Sequence, residues 1–418
     1  KKKMKRGIQQ LLQRKGTQKT MMKMKMVTTR GYNTPHLPLT MLKEEEIQLK
    51  QAVTEFAEQQ IKPYVKEMDE SKHMREDIIK ECFNLGLMGI EVPEEYGGTG
   101  MSFMSSIIVI EALARIDPSV SVFVDVQNTL VNRIFRDFGS EDQKKEWLPR
   151  LSNEIVGSFC LSETSSGSDA FALKTTAKED GDHYILNGTK AWITNSHEAG
   201  VFVVMANVKP EDGYRGITAF IVPRETEGVT VAKKEDKLGI RASSTCSVIL
   251  ENVRVPKTNI LGELGKGYKI AITTLNEGRI GIGAQMVGLA QGAFDSTMPY
   301  LNEREQFNTK LANFQGMQFQ YAKCATDIAA ARLMVYEAAR LKEAEQPFIK
   351  EAAMSKWYSS EVANDVAMKC VEMLGGVGFT KEFDAEKYYR DCIIGKIYEG
   401  TSNINLQTIA KLVQQDYQ

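Results

Sequence analysis

One carboxylate near the end of the chain lies in a setting suited to proton transfer. Glu399 stands between Tyr398 and Gly400 in the run IYEGTSNI, which connects two helical patterns. A carboxyl group beside an aromatic ring and a glycine can lose part of its hydration, which raises its pKa toward neutrality. A raised pKa suits a general base. The spacing alone leaves a second interpretation open, in which Glu399 is a solvated acid in a loop.

A hydroxyl-rich segment could bind an anionic or heteroaromatic ligand. The run FCLSETSSGSD, residues 159–169, reads as a strand that enters a loop, and Gly167 allows close approach of the backbone. Its hydroxyl and backbone N–H groups are hydrogen-bond donors. Trp192, in the run WIT on a later predicted strand, offers a flat apolar face beside a hydroxyl. Taken alone, each segment is also compatible with a purely structural role.

Other kinds of site lack support. Residues 262–267, GELGKG, precede a helical pattern but lack the strand–GxGxxG–helix order and a later ribose-binding acid. Gly281 and Gly283 lie inside a helical pattern, which favours a close helix contact over a nucleotide loop. The six cysteines and four histidines are dispersed without paired spacing, so no metal site is predicted. A nicotinamide-binding Rossmann domain is not supported either.

Charge is unevenly distributed along the chain. Residues 1–43 contain twelve Lys or Arg and no acid, whereas residues 44–418 contain 41 basic and 54 acidic residues. Such an acidic body lacks the basic face that nucleic-acid binding requires. The acid-free residues 1–36 favour a leader for import into the mitochondrial matrix, with a solvated disordered tail as the alternative. No apolar run approaches the roughly 20 residues of a membrane span, so integral membrane association is excluded.

Hydrophobic patterns divide the chain into helical, β-rich and again helical parts. Apolar residues recur at helical spacing from Leu49 to Phe56, and Pro63 is predicted to end that helix. Short β-rich runs separated by turn signals, among them Asn187-Gly188, favour an antiparallel sheet or barrel. The predicted domains beyond the leader are helical at 37–154, β-rich at 155–266 and helical again at 267–418.

In this order, the motifs closely resemble those of the acyl-CoA dehydrogenase family. The resemblance covers residues 38–418 and rests on FCLSETSSGSD, WIT, LNEGR at 275–279, MLGG at 373–376 and IYEGTSNI. KLGIRASSTC at 237–246 is most similar to the short/branched-chain, 2-methylbutyryl-CoA branch. The resemblance implies an N-terminal all-α domain, a middle antiparallel β-barrel domain and a C-terminal four-helix bundle. It also implies a homotetramer that binds FAD between the β-domain and the bundle.

The resemblance implies roles for individual residues. FAD would be bound by the hydroxyl-rich loop, the WIT strand and parts of the bundle, namely Phe159, Cys160, Leu161, Ser162, Glu163, Thr164, Ser165, Ser166, Gly167, Ser168, Trp192, Ile193, Thr194, Arg304, Gln315, Glu372, Met373, Leu374, Gly375, Gly376, Thr401, Ser402 and Asn403. Acyl-CoA would be contacted by Ser168, Tyr214, Tyr268, Asn276, Glu277, Gly278, Arg279 and Gly400. Glu372 is a departure, because many members carry Gln at its position.

The implied reaction is desaturation of an acyl-CoA thioester. Glu399 would remove the α-proton, the flavin would take the β-hydride, and an electron-transferring flavoprotein would accept the electrons. Some members carry the base at the position that Gly278 holds here, and glycine cannot act as a base. Glu277, the neighbouring residue, points about 100° away around a helix. The alternatives are the same site run in reverse as a branched-chain 2-enoyl-CoA reductase, a straight short-chain (butyryl-CoA) dehydrogenase, an acyl-CoA oxidase and a non-enzymatic helical scaffold.

Overall fold

The structure, a computed structural model, describes residues 38–418. The predicted leader, residues 1–36, lies outside the described residues. The described elements form a helical group, a β-sheet and a second helical group in that order along the chain. This order confirms the predicted α–β–α fold class. Within residues 38–418, no helix is both long and apolar enough to cross a membrane.

In the described residues before the sheet, the N-terminal part consists of seven α-helices and the short turns between them. The helices are α1 (Glu44–Phe56), α2 (Val65–Ser71), α3 (Glu76–Asn84), α4 (Phe103–Ala114), α5 (Pro118–Asp125), α6 (Arg133–Phe138) and α7 (Glu141–Asn153). Helix α1 buries Leu49, Val53 and Phe56, as its spacing predicts. Pro63 does not terminate the helical path: it lies in a 3₁₀ turn, Lys62–Tyr64, that follows a π-helical turn. A proline near the start of a turn is tolerated because its missing N–H would have no partner there.

A single sheet of eight strands forms the middle part. The strands are β1 (Val156–Cys160), β2 (Thr176–Asp180), β3 (His183–Thr194), β4 (Ala199–Asn207), β5 (Ile217–Pro223), β6 (Val229–Val231), β7 (Thr245–Pro256) and β8 (Ile260–Leu261). They pair in the order β6-β7-β3-β2-β4-β5-β8, and β1 pairs with β4. Most pairings are antiparallel, as predicted, whereas β4 lies parallel to β1 and to the end of β2.

The predicted turn at Asn187-Gly188 is wrong. Strand β3 continues through both residues, and its register against β7 shifts between Leu186 and Gly188, which marks a bulge. Glycine is required there because a side-chain carbon would lie 2.4 Å from the Thr175 hydroxyl oxygen. The Asn-Gly pair therefore serves a close contact inside a strand, which sequence alone does not distinguish from a hairpin turn.

Five helices and a small hairpin form the C-terminal part. The helices are α8 (Gly267–Glu303), α9 (Gln315–Glu343), α10 (Ile349–Leu374), α11 (Ala385–Cys392) and α12 (Ser402–Asp416), and the hairpin strands are β9 (Glu305–Gln306) and β10 (Thr309–Lys310). Helix α10 packs against α8, α9 and α12, so the four long helices form the predicted bundle. One apolar cluster continues from α4 through β4 into α8 and α10, which fixes the three parts against one another.

Candidate active site

Glu399 lies in a tight turn at the start of α12. Its φ is 51° and that of Gly400 is 88°, so two consecutive residues adopt the left-handed conformation. For a non-glycine residue this conformation costs on the order of 1–3 kcal/mol and persists only where the surroundings hold it. The Thr401 hydroxyl then accepts a hydrogen bond from Ile404 N at 3.3 Å and caps α12. The turn therefore directs the Glu399 side chain toward α8.

The Glu399 carboxyl lies directly against the backbone of α8. A side-chain carbon at Gly278 would lie 2.9 Å from Glu399 Oε2 and 3.0 Å from Leu130 Cδ2. Oε2 is buried and has no hydrogen-bond partner among the described residues. An unpaired buried oxygen is uncommon in folded proteins and calls for a partner or a function. Here it leaves one carboxyl oxygen available to a bound molecule.

Burial and two cations set the charge of Glu399. Loss of hydration raises the pKa of its carboxyl to about 7, although Lys356 and Arg279 each act to lower it. The group is therefore divided between its acid and its carboxylate near neutral pH. A base with a pKa close to the working pH is effective in both accepting and releasing a proton.

Lys356 and Asn405 hold the turn from the bundle side. Lys356 Nζ donates a hydrogen bond to the carbonyl oxygen of Gly400 at 2.6 Å, and Asn405 Nδ2 donates to the same oxygen at 2.8 Å. Both side chains are fully buried. Two donors on one carbonyl keep the left-handed turn in place. Sequence analysis did not select Lys356; its only signal was a cation among small and apolar residues in the pattern of α10.

Arg279 supplies a second cation on the α8 side of the turn. Its Nη1 donates to Asn276 Oδ1 at 3.0 Å, and its Nε is buried without a partner among the described residues. Burial lowers the pKa of Arg279, while the charge of Glu399 raises it. An arginine retains its proton in proteins, so the unpartnered donor belongs to a cation whose charge acts on Glu399.

Asp125 is a second buried acid near the base, and sequence analysis missed it. Burial raises the pKa of Asp125 well above its usual range, and the charge of Glu399 acts in the same direction. Thr129 Oγ1 donates to Asp125 Oδ1 at 2.9 Å. Gly281 makes room for this carboxyl, because a side-chain carbon there would lie 2.2 Å from Oδ1. An acid in the apolar run SVSVFVDV was the available signal.

Glu277, predicted to contact the substrate, forms ion pairs instead. Its carboxylate pairs with Arg133 and, at 3.5 Å, with Lys342. All three groups are largely buried, and they come from α6, α8 and α9. The carboxylate of Glu277 is therefore neutralised by direct partners, unlike that of Glu399. Its predicted contact with the substrate has no support from this geometry and stays a prediction.

The hydroxyl-rich loop is closed onto the sheet by a buried ion pair. Glu163 pairs with Lys190 Nζ at 2.9 Å and accepts hydrogen bonds from Lys174 N and Thr175 N. Cys160 and Leu161 are buried, so their predicted contact with the cofactor has no support from their exposure and stays a prediction. The exposed residues of the segment are Thr164, Ser165, Gly167, Ser168 and Asp169, whereas Ser166 is buried and Phe159 and Ser162 are half-buried.

A bulge in β3 turns Trp192 outward. The register of β3 against β7 shifts between Lys190 and Ile193, and Trp192 has a φ of 61°. As a result 61% of Trp192 is exposed, whereas Ile193 next to it is buried. Thr194 is half-buried. A large exposed ring held by a strained strand residue suits contact with a planar ligand.

Two tyrosines meet where the middle and C-terminal parts join. The rings of Tyr214 and Tyr268 pack edge to face with centroids 4.9 Å apart, and Tyr214 is exposed. On α12, Asn403 is exposed, while Ser402 Oγ is buried without a partner among the described residues.

The remaining predicted cofactor residues lie on the surface of the bundle. Arg304 and Gln315, at the ends of α8 and α9, are exposed. Glu372 is exposed and pairs with Lys369 at 2.7 Å, whereas Met373 and Leu374 are buried. Gly375 and Gly376 have open space where a side chain would begin.

These residues fit a flavin in three respects. The buried atoms Arg279 Nε and Ser402 Oγ have no partner among the described residues. Trp192 presents a flat ring, and open space adjoins Gly375 and Gly376. A heteroaromatic ligand with hydroxyl and phosphate groups could satisfy the polar atoms, stack on the ring and fill this space.

Fold and site together define an acyl-CoA dehydrogenase. Residues 43–154 match the acyl-CoA dehydrogenase N-terminal domain, residues 158–253 the middle domain and residues 265–414 the C-terminal domain. The chain therefore belongs to the acyl-CoA dehydrogenase family, and it is an enzyme of that class. Membership implies a flavin cofactor and an acyl-CoA substrate.

Among individual proteins, the chain is similar to short/branched-chain enzymes. It is 59% identical to the probable short/branched chain specific acyl-CoA dehydrogenase of Dictyostelium discoideum, over 91% of this chain and 92% of that protein. It is 55% identical to the mitochondrial short/branched chain specific enzyme of Bos taurus, over 92% and 89% of the two chains. Identity to the mitochondrial short-chain specific enzyme of Rattus norvegicus is 43%, over 90% and 92%.

Solved structures share the whole described fold. Butyryl-CoA dehydrogenase from Megasphaera elsdenii matches with a TM-score of 0.88 and 36% identity, over 89% of this chain and 99% of that chain. A chain from work on the electron transferring flavoprotein of Acidaminococcus fermentans matches with a TM-score of 0.88 and 40% identity, over 90% of this chain and 99% of that chain. An acyl-CoA dehydrogenase complexed with FAD from Bacillus anthracis matches with a TM-score of 0.84 and 33% identity, over 90% of this chain and 68% of that chain.

Proposed function

We propose that the protein uses FAD to oxidise a short, branched acyl-CoA of the 2-methylbutyryl type to its 2-enoyl-CoA, with Glu399 as the base. The observation that carries this proposal is the Glu399 carboxyl. It is buried, one of its oxygens is unpartnered, and its pKa is raised to about 7. A solvated loop acid would have none of these properties.

The chain's own residues would prepare the proton transfer. The Glu399 carboxylate accepts the α-proton at Oε2, which faces no other partner among the described residues. Lys356 and Arg279 favour the carboxylate form, and Leu130 helps to exclude water from it. Bound FAD would supply the acceptor for the β-hydride. Backbone N–H groups of the turn could hydrogen-bond the thioester oxygen as negative charge develops there.

The FAD contacts are proposed from the exposed groups of the loop, strand and bundle. Thr164, Ser165 and Ser168 offer hydroxyl donors, and Trp192 offers its ring. Arg304 is an exposed cation suited to a phosphate. Because Arg304 and Gln315 lie on the bundle surface, we propose that they complete the site of a neighbouring subunit in a homotetramer. Glu372, an acid already paired with Lys369, is the weakest of the proposed contacts.

Relatives support the branched substrate and the cellular setting. Identity is higher to the short/branched-chain enzymes, at 55–59%, than to the short-chain enzyme, at 43%. Since two of these relatives are mitochondrial, we propose a mitochondrial matrix location with residues 1–36 as the leader. An electron-transferring flavoprotein is the proposed electron acceptor, in keeping with the electron transferring flavoprotein work from which one structural neighbour comes.

Anaerobic mixing with three thioesters tests the substrate and the direction. We expect 2-methylbutyryl-CoA to bleach the flavin faster than isobutyryl-CoA or butyryl-CoA, and the reduced enzyme to be reoxidised by electron-transferring flavoprotein. Faster bleaching with butyryl-CoA would favour the straight-chain enzyme. Reduced electron-transferring flavoprotein that drives net formation of acyl-CoA from 2-enoyl-CoA would favour the reductase.

Deleting residues 1–36 should abolish import into mitochondria without changing flavin content.

A further inference from the structure

Lys356 stands beneath the turn that carries Glu399, and it is fully buried in the bundle. Its Nζ donates to the Gly400 carbonyl at 2.6 Å. The same carbonyl already accepts a hydrogen bond from Asn405 Nδ2 at 2.8 Å. The hydrogen-bonding need of this oxygen can therefore be met by a neutral amide. A hydrogen bond to Gly400 alone does not explain why a charged side chain is buried here.

Burying an ammonium group is costly, by several kcal/mol in proteins after relaxation. Such a group is retained where a nearby negative charge offsets the loss of hydration. For Lys356 the nearby acid is Glu399, whose charge raises the pKa of the lysine, while burial lowers it to about 7. The lysine and the acid thus stabilise each other's charged forms inside one buried site.

The two groups do so without direct contact. Glu399 forms no ion pair of 4 Å or less with any described residue, and its Oε2 has no hydrogen-bond partner there. The ammonium hydrogen-bonds instead to the carbonyl of the next residue. A direct ion pair would occupy the oxygen that has to accept a proton. Through the turn, Lys356 favours the carboxylate and leaves that oxygen free.

Arg279 shares the electrostatic part of this role, since its charge also acts to lower the pKa of Glu399. It approaches from α8 and donates a hydrogen bond to Asn276, whereas Lys356 donates to the turn itself. Asp125 approaches from the end of α5; burial raises the pKa of its carboxyl well above its usual range, and an acid supplies no positive charge. Tyr398, the preceding residue, is uncharged near neutral pH, because burial raises the pKa of its hydroxyl well above its usual range. Lys356, on α10, is a cation that also hydrogen-bonds to the turn next to Glu399.

We propose that Lys356 is a positioning residue for the base: its buried ammonium anchors the turn at residues 399–400 and favours the ionised form of the Glu399 carboxyl. The proposal rests on the proposed role of Glu399. It assigns Lys356 no contact with the reacting atoms. Its effect reaches the substrate only through the ionisation and orientation of Glu399.

The test is the pH profile of flavin reduction by saturating substrate, measured anaerobically on FAD-loaded variants. Lys356→Gln keeps a donor for Gly400 but removes the charge. We expect the midpoint of its acidic limb to rise by at least one pH unit, which lowers the rate about tenfold on that limb. At alkaline pH its rate should approach that of the unmodified enzyme. Lys356→Arg keeps a cation and should hold the midpoint at or below the original value.

Asn405→Leu is the matched control. It removes the other donor to Gly400 and leaves every charge in place, so it should lower stability or the plateau rate without moving the midpoint. The proposal is overturned if Lys356→Gln leaves the midpoint unchanged, or if Asn405→Leu moves it equally. If Lys356→Gln does not bind flavin, the Lys356→Arg variant decides the question, because a raised midpoint of its acidic limb would contradict the proposal. Fast flavin reduction by Glu399→Gln would instead refute the role of Glu399, which separates the two failures.

Discussion

Glu399 Oε2 lies 2.9 Å from the point at which a side chain on Gly278 would begin. The two positions, on different elements and 121 residues apart in sequence, therefore open onto one space. A carboxylate attached at either position could reach that space, but two could not share it. This relationship gives a physical reason for glycine at position 278 when the acid is at position 399.

Moving the carboxylate should therefore move the base. Glu399→Gly removes the acid and tolerates the left-handed backbone, and we expect it to slow flavin reduction by roughly 10²–10⁴-fold. Adding Gly278→Glu should recover at least about tenfold of that loss, because it returns a carboxylate to the same space. Rapid anaerobic mixing with acyl-CoA measures both rates. Gly278→Glu alone is the control, in which the crowded carboxyl groups should impair flavin reduction; a fully active single variant would contradict the shared space.

The rate of flavin reduction should increase with pH and level off above about 7. Burial raises the pKa of Glu399 to about 7, and only the ionised carboxyl accepts a proton. Below that pH the acid form predominates, so the rate should fall about tenfold for each pH unit. Stopped-flow absorbance from pH 5.5 to pH 9 measures the profile. An acidic limb centred near pH 4.5 would show that Glu399 is hydrated like an ordinary surface acid.

Breaking the Glu163–Lys190 ion pair should destabilise the middle part. Lys190 is fully buried, so Glu163→Ala leaves an unpaired cation and two backbone N–H groups without their acceptor. Loss of one partner of a buried pair costs about 3–5 kcal/mol. Urea unfolding measures the free energy of unfolding. Lys178→Met, at an exposed position of β2, is the control and should change it by no more than about 0.5 kcal/mol.

Arg304→Ala should yield protein partly depleted of flavin. An exposed arginine bonded to a phosphate contributes roughly 1.5–3 kcal/mol, or about tenfold to a hundredfold in affinity. The ratio of flavin absorbance to protein absorbance after purification measures the loss. Arg254→Ala, at an exposed site on β7 beside Asp180, should retain its flavin. Full flavin in Arg304→Ala would remove this residue from the proposed FAD site.

The sequence predicted the fold order because hydrophobic periodicity reflects which faces of helices and strands are buried. It failed at Asn187-Gly188, where a bulge inside β3 carries residues typical of a turn. Motifs located the turn of Glu399, but they did not reveal Lys356 or Asp125. Those two residues come from distant helices, and only packing brings their charges to one place. The FAD and substrate roles and the domain boundaries at 154/155 and 266/267 stay predictions.

The central claim is that Glu399 removes the α-proton, and one measurement tests it most directly. Glu399→Gln keeps the size of the side chain but cannot accept the proton. The FAD-loaded variant is mixed anaerobically with 2-methylbutyryl-CoA, and bleaching of the flavin is followed, while equilibrium titration reports acyl-CoA binding. The account predicts bleaching slowed by at least roughly 10²-fold with nearly unchanged affinity for the thioester. Bleaching at a near-normal rate would contradict it.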